Sequence, residues 1–205
     1  MALSLKKNQT ISLKKDGGSG LTTAFLGCGW DAVRTKSLTG AMSRLFGGTS
    51  SSIDLDASCV LLDADKNIVD QVWFRQLKSY DGSIVHRGDN LTGDGDGDDE
   101  VIYVSPTKVP EKVTSLVFTV NSYRGQTFNE VENAFIRLVD TSTSTPKEIA
   151  RYDLSDAGNY TGMIMAVLTR KGGQWTMTAL GRPSSGRTLH NMLPDIRDAL
   201  TEAGL

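Results

Sequence analysis

The chain has 205 residues, 39% of them hydrophobic, and a formal net charge of −2. This length and apolar content fit one domain with a core, and the near-neutral charge argues against nucleic-acid binding. The sequence has 21 glycines and five prolines, which indicates many turns between short strands rather than a helical bundle.

Most of the chain consists of short β-rich runs separated by Gly, Asp and Ser clusters, a pattern typical of strands. The predicted strands are residues 10–15, 21–30, 53–62, 70–77, 100–105, 115–123, 133–140 and 149–154. A hairpin follows, in which Lys171, Gly172 and Gly173 turn one apolar run back on the next. Because no long amphipathic helix lies between the strands, we predict an all-β fold with minor helix, a β-sandwich rather than a parallel α/β sheet.

Two segments depart from the strand pattern. Residues 34–52 are rich in Gly, Ser and Thr and are predicted to form a mobile insertion, or alternatively a short helix that docks on a partner. In residues 188–203, apolar side chains recur at helical spacing, which predicts a C-terminal helix packed on the domain. The predicted organisation is therefore a β-sandwich domain over residues 1–187 and a helical tail over residues 188–205.

The cysteines and the N-terminus indicate the compartment. Cys28 and Cys59 each lie in an apolar run and are not spaced as a metal or redox motif, so both are predicted to be buried free thiols. The first fifteen residues lack the apolar core of a signal peptide, and no run approaches the length of a membrane span. We therefore expect a cytoplasmic protein.

The segment that carries chemistry is residues 88–100, which contains six acids and no base within twelve residues. Alternating Asp and Gly disfavours both helix and strand, and the like charges repel one another. A Ca²⁺ ion resolves this conflict, because it takes six to eight oxygen ligands and glycines let the backbone curl around it. The predicted ligands in this segment are Asp89, Asn90, Asp94, Asp96, Asp98, Asp99 and Glu100.

The segment does not match an EF-hand loop beyond its first three ligand positions. Asp99 stands where the sharp-turn glycine belongs, and Ser105 occupies the twelfth position in place of Glu. Further ligands are therefore expected from strand ends elsewhere in the chain. Asp54 and Asp56 lie on one face of a predicted strand, and Asp31 follows another.

The composition of these residues also favours calcium over other ions. Magnesium prefers few carboxylates and retains several waters, whereas this segment is rich in acids and glycines. A soft metal is disfavoured, since His86 and His190 are isolated and both cysteines lie in apolar runs.

Several ordered motifs make the sequence similar to a known family. They are Gly29-Trp30-Asp31, Asp54-Leu-Asp-Ala-Ser58, Asp81-Gly-Ser-Ile84, the run from His86 to Glu100, Glu132-Asn-Ala-Phe-Ile-Arg137 and Ala150-Arg-Tyr-Asp-Leu154. The chain resembles the TerD-domain family of tellurium-resistance and stress proteins over residues 3–181. The runs at residues 52–59, 72–77 and 186–194 resemble the TerZ-type members most.

This resemblance implies a β-sandwich in a cytoplasmic bacterial protein that binds two calcium ions and has no catalytic activity. It also implies a role in resistance to tellurite and other stresses, with other tellurium-resistance proteins as partners in a membrane-anchored complex. A peripheral position at the inner membrane follows from that expectation. No small-molecule substrate is implied.

Three functions compete on this basis. The first is a calcium-dependent interaction module. The second is an enzyme, either a metal-assisted phosphohydrolase or a reductase of the tellurite oxyanion. The residues support the hydrolase weakly because no histidine dyad or phosphate-cradling loop is evident, and Cys28 and Cys59 give weak support to the reductase. The third is calcium-dependent attachment to anionic membranes, suggested by Arg34, Lys36 and Arg44 beside Met42, Leu45 and Phe46.

Overall fold

A computed structural model describes residues 2–14, 20–32, 53–88, 97–154 and 158–205. Its strands are β1 (Leu3–Ser4), β2 (Thr10–Ser12), β3 (Ala24–Ala32), β4 (Asp56–Leu62), β5 (Ile68–Val72), β6 (Ile84–His86), β7 (Glu100–Val104), β8 (Ser115–Asn121), β9 (Val131–Asp140), β10 (Lys147–Asp153), β11 (Gly162–Lys171) and β12 (Gln174–Ser184). A 3-10 turn at Phe128–Glu130 precedes β9, and one helix, α1, spans Leu189–Glu202. The predicted 34–52 insertion lies outside the described residues.

The strands form two six-stranded sheets, which confirms the predicted β-sandwich with a C-terminal helix. Sheet A has the order β1-β10-β9-β3-β7-β6, and sheet B has the order β2-β12-β11-β8-β4-β5. Neighbouring strands are antiparallel except for β1, which pairs with β10 in parallel. The predicted hairpin is present between β11 and β12, with Gly172 and Gly173 at φ values of 56° and 76°.

The core lies between the two sheets. Alternate residues of each strand face inward, as the period of two in a β-strand requires. In β4, however, all seven residues are buried. This is because sheet B is covered on its outer face as well, so β4 has no solvent-facing side chain.

Helix α1 provides that outer cover. Thr188 caps its N-terminus by accepting a hydrogen bond from Asn191 N. The buried side of the helix packs on the middle of sheet B, and together they form a second apolar cluster. The cluster contains Leu189, Met192, Ile196, Ala199 and Leu200 from the helix and Val60, Leu62, Val117, Ile164, Val167 and Leu180 from the sheet. Among the described residues no helix is both long and apolar enough to span a membrane.

The predicted strand over residues 70–77 is wrong at its C-terminal half, because β5 ends at Val72. The buried carboxylate of Asp70 accepts hydrogen bonds from Gln71 N, Gln76 Nε2 and Tyr80 N at 2.8, 2.9 and 2.7 Å. These bonds bend the chain into a turn directly after the strand. The two short strands β1 and β6 were not predicted, since two or three residues carry no periodic signal.

One end of the sandwich gathers the acidic residues, and we call it the acid end. There β3, β6 and β8 end, while β4, β7 and β9 begin. The register pairs Cys28 with Glu100 in sheet A and Asp56 with Asn121 in sheet B. The topology therefore brings strand ends from three distant parts of the sequence to one place.

Candidate metal centre

The last residues of the acidic segment lie against the end of β3. Asp99 N donates to Cys28 O at 2.8 Å, and Trp30 N donates to Asp99 Oδ2, also at 2.8 Å. The backbone of Gly97–Glu100 thus extends the pairing of β7 with β3 toward the acid end. Asp99 is held in place by the main chain of the neighbouring strand.

Two glycines of β3 make this close approach possible. A Cβ atom at Gly27 would lie 2.2 Å from the Asp98 carboxyl group, and one at Gly29 would lie 2.5 Å from Gly97 O. Both distances are shorter than Cβ atoms make with non-bonded atoms in real proteins. Because residues 27 and 29 point to the same face of the strand, the glycines form a shallow bed for the acidic segment.

Asp98 is held by an arginine of the adjacent strand β9. Arg137 Nε and Nη2 donate to the two Asp98 carboxylate oxygens at 2.7 and 2.8 Å, and Nη1 donates to Glu148 at 3.0 Å. The hydrogen bonds that Arg137 donates to Asp98 raise the pKa of the guanidinium above its ordinary value. This bidentate geometry fixes the orientation of the carboxylate as well as its charge.

Glu100 connects the two sheets. Its carboxylate is buried and accepts a hydrogen bond from Ala57 N of β4 at 2.6 Å. His86 Nε2 lies 3.2 Å from the same oxygen, while His86 Nδ1 accepts from Gly88 N at 3.1 Å. Since Nδ1 is an acceptor, Nε2 is the donor of this ring, and both Ala57 O and Glu100 Oε2 lie 3.2 Å from it.

Asp54 and Asp56 lie at the start of β4, on the sheet B side of the acid end. Arg124 Nε lies 3.1 Å from Asp54 Oδ2, and Asn121 Nδ2 donates to Asp56 Oδ2 at 3.4 Å. Trp30 Nε1 donates to Ile53 O at 3.1 Å, which ties the segment that leads into β4 to the end of β3. This segment therefore contacts both sheets.

Asp31 lies at the end of β3 and is the most exposed of the six predicted ligands that the structure describes. It lies opposite Glu132 of β9, and its carboxylate accepts a hydrogen bond from Asn133 Nδ2 at 2.7 Å. Asn133 is the third residue of β9 and has a φ of 52°, so its backbone is in the left-handed region. Asn133 was not predicted from the sequence.

Six predicted ligands thus lie at the acid end: Asp31, Asp54, Asp56, Asp98, Asp99 and Glu100. The other four, Asp89, Asn90, Asp94 and Asp96, lie outside the described residues. Within the ranges that the structure describes, no three His, Cys, Asp or Glu side chains converge closely enough to hold a metal ion. The ligand set and the expectation of two ions therefore stay predictions.

The chemistry of the site nevertheless fits a hard cation. The predicted ligands that it brings together are all carboxylates, which are oxygen donors that calcium prefers. Burial, together with the nearby Glu100, raises the pKa of the Cys28 thiol, and burial raises that of Cys59. Both cysteines are free and buried. They are accordingly neutral thiols, with the properties of neither a soft-metal ligand nor a nucleophile.

Comparison with known proteins identifies the family. The model of the TerD domain matches residues 1–195 of the chain. The chain belongs to the TerD-domain family. The chain is 52% identical over 198 residues to the tellurium resistance protein TerZ of Serratia marcescens, an alignment that covers 97% of this chain and 98% of that protein.

Other relatives carry stress-related names. The chain is 41% identical to the stress response protein SCP2 of Bacillus subtilis, over 94% of this chain and 98% of that protein. Among solved structures, a homologue of telluride resistance protein (TerD) from Streptomyces coelicolor matches with a TM-score of 0.66 at 18% identity, covering 85% of this chain and 96% of that one. That likeness supports the sandwich fold of this TerD-domain chain.

The structure adds residues to this TerD-domain site that sequence reasoning did not assign. Arg137, Asn121 and His86 each contact a predicted ligand that lies in a different part of the sequence. The sequence indicates such partners only through its total charge. Without the six acids of residues 88–100, the rest of the chain has a formal charge of +4, which predicts cations near the acidic segment. It does not identify the individual residues.

Proposed function

We propose that this protein is a calcium-binding module of the cellular response to tellurite and related stresses, and that calcium controls its interaction with a macromolecular partner. The observation that carries the proposal is that Asp31, Asp54, Asp56 and residues 98–100 lie at the same end of the sandwich. The names of its TerD-domain relatives support the stress role.

In this proposal the described carboxylates have two roles. Asp98 and Glu100 are each held by strong protein donors, Arg137 in one case and Ala57 N with His86 in the other. In this proposal they anchor the acidic segment. Asp31, Asp54, Asp56 and Asp99, together with the acids of residues 89–96, supply the oxygens that hold calcium.

Calcium binding would act by charge neutralisation. Carboxylates gathered at one end repel one another, and a divalent cation removes this repulsion when its ligands come from both sheets. A ligand that binds only the folded state also stabilises it, by about 2.7 kcal/mol at a concentration one hundred times its Kd. Calcium should therefore order the acid end and set the surface that a partner meets.

Calorimetric titration with calcium tests this proposal. We expect the double variant Asp54→Asn and Asp56→Asn to lose at least tenfold in affinity, about 1.4 kcal/mol, because two charged oxygen donors become neutral. A matched control is Asp65→Asn with Asp198→Asn, since both acids are exposed and lie away from the acid end. Equal affinity in the two double variants would contradict the proposal.

We also propose that the protein is not an enzyme. A tellurite tolerance assay distinguishes a role through calcium binding from reduction of tellurite by the cysteine thiols. Cells that depend on this chain for tellurite tolerance should lose tolerance with the Asp54→Asn and Asp56→Asn variant. They should keep it when Cys28 and Cys59 are both replaced by alanine, because buried neutral thiols do not react with the oxyanion. Loss of tolerance in a stably folded cysteine-free variant would favour a reductase.

A further inference from the structure

A row of aromatic rings crosses the sheet B side of the acid end. It runs from His190 through Trp73 and Phe74 to Tyr123, with ring centroids 5.2, 4.9 and 6.4 Å apart. The Tyr123 side chain is 55% exposed, and those of Trp73 and Phe74 are partly exposed. We call this group the aromatic row.

Three exposed arginines flank the aromatic row. Arg75 stacks over Trp73 and Phe74, with its Cζ atom 5.8 and 5.3 Å from the ring centroids. Arg187 Nη2 donates to Tyr123 O at 3.0 Å, and Arg124 pairs with Asp54 at 3.1 Å. Among the described residues, no carboxylate forms an ion pair with Arg75 or Arg187.

The local backbone is built to hold these side chains. Gly125 has a φ of 85°, and a Cβ there would lie 2.6 Å from the Arg187 guanidinium, so only glycine lets the arginine lie flat on this turn. Asn121 Nδ2 donates both to Arg187 O and to Asp56 Oδ2. The arginines and the predicted calcium ligands are therefore parts of one connected surface.

We infer that the acid end docks on an anionic lipid surface when calcium is bound, with Arg75, Arg124 and Arg187 contacting lipid phosphates and the aromatic row lying at the headgroup level. This inference rests on the proposed function, because it needs calcium at the acid end. Guanidinium groups suit phosphate recognition, and the amphipathic rings of Trp and Tyr are favoured at membrane–water interfaces.

The charge balance explains why calcium is required. The six described carboxylates at the acid end outnumber the four arginines Arg75, Arg124, Arg187 and Arg137, which leaves a charge of −2, so without a cation the surface repels an anionic bilayer. Two calcium ions bound by these carboxylates would add four positive charges and change that balance to +2. Asp54 would have a different partner in the calcium-free and calcium-bound protein. Without calcium it pairs with Arg124, and calcium would compete with Arg124 for the same carboxylate.

The aromatic row favours a lipid surface over an acidic protein segment. Its rings meet mostly edge to face, and they lie side by side along the end of the sandwich. The rings form an extended amphipathic strip beside three arginines. At a membrane–water interface such rings would lie at the headgroup level while the arginines contact the phosphates. An acidic peptide would be held by the arginines alone.

Vesicle co-sedimentation of the full chain tests the inference. We expect calcium-dependent binding to vesicles containing phosphatidylglycerol, and little binding to phosphatidylcholine alone or in the presence of a chelator. Each basic residue near an anionic surface contributes about fivefold in partitioning, which corresponds to about 1 kcal/mol. The Arg75→Gln and Arg187→Gln double variant should therefore bind about thirtyfold less tightly.

Its control is the double variant Lys112→Gln with Lys171→Gln, which removes the same charge at the opposite end of the sandwich and should bind as the wild type does. Equal losses in the two double variants would overturn the assigned surface. Intact calcium binding by calorimetry without vesicle binding would overturn the docking inference and leave the proposed function standing. Calcium-dependent binding of poly-glutamate in place of vesicles would assign the surface to an acidic protein and also overturn it.

Tryptophan fluorescence gives an independent readout. The chain has three tryptophans, and Trp30 and Trp175 are buried while Trp73 is half-buried. Docking should shift the emission to shorter wavelength through Trp73, and the Trp73→Phe variant should show no shift. A shift that persists in that variant would contradict the placement of the aromatic row at the lipid surface.

Discussion

The outer faces of the two sheets are covered in different ways. The middle of sheet B carries aliphatic side chains and is covered by helix α1, so burial of apolar area holds this layer. The outer face of sheet A carries aromatic rings covered by arginines: Arg87 lies 5.5 Å from Tyr103, Arg137 lies 6.0 Å from Phe25 and Arg151 lies 3.7 Å from Phe135.

This difference separates stability from ion binding. The apolar cluster between α1 and sheet B contains none of the predicted ligands. The outer face of sheet A, in contrast, carries Arg137 and the glycine bed, which both contact the acidic segment. Changes in the apolar cluster under α1 should therefore affect the free energy of unfolding and leave calcium affinity unchanged. Changes at the glycine bed or at Arg137 should lower calcium affinity.

The largest expected effect is on the sheet B side. Ile196→Ala removes a fully buried side chain from the contact between α1 and the sheet, and such truncations lower the free energy of unfolding by about 2–5 kcal/mol. Chemical denaturation measures this loss, with Arg197→Ala on the exposed side of the helix as its control. Calcium affinity should not change in either variant, and a fall with Ile196→Ala would show that the two faces are coupled.

The next effect is on the glycine bed of sheet A. Gly27→Val places side-chain atoms where the Asp98 carboxyl group lies, so the Asp98 side chain must move away from β3 and from Arg137. We expect calcium affinity to fall at least tenfold, about 1.4 kcal/mol, as measured by calorimetry. Gly20→Ala is the control, because a Cβ at Gly20 meets no atom within 4 Å. Unchanged affinity would mean that the bed does not position the ion's ligands.

The sequence predicts the sandwich well because local patterns determine it. Alternation identifies most strands, and helical spacing after residue 188 identifies α1. The run 70–77 shows where such reasoning fails: its residues suit a strand, but Asp70 accepts three hydrogen bonds that end it at Val72. A side chain that bonds to residues six and ten positions away leaves no periodic signal.

The candidate site was predictable in part for a related reason. Carboxylates on strand ends are visible in the sequence, so Asp31, Asp54 and Asp56 could be expected near residues 98–100. Their protein partners could not, since Arg137 reaches Asp98 across 39 positions and Asn121 reaches Asp56 across 65. Those contacts depend on the order of strands in each sheet, which a single sequence does not specify.

Replacing Arg137 tests whether Asp98 is an anchor or a ligand. Arg137→Gln leaves a largely buried carboxylate without its bidentate partner, and we expect the free energy of unfolding to fall by about 1–3 kcal/mol. Calcium affinity should fall as well, because the acidic segment loses its attachment to β9. Arg137→Lys, which keeps the charge but not the fork, should recover only part of both losses. Tighter calcium binding in Arg137→Gln would instead show that the guanidinium competes with the ion for Asp98.

The smallest expected effect is a difference in thiol reactivity between the two sheets. Burial raises the pKa of both thiols, so alkylation reports the opening that exposes each cysteine. Cys28 lies beneath the acidic segment, whose Asp99 N bonds to its carbonyl, whereas Cys59 lies inside sheet B between β5 and β8. With a chelator, Cys28 in a Cys59→Ala chain should therefore react faster than Cys59 in a Cys28→Ala chain, since charge repulsion opens the acid end locally. Calcium should slow the reaction of Cys28 more than that of Cys59, and equal slowing of both would mean that the ion stabilises the sandwich as a whole.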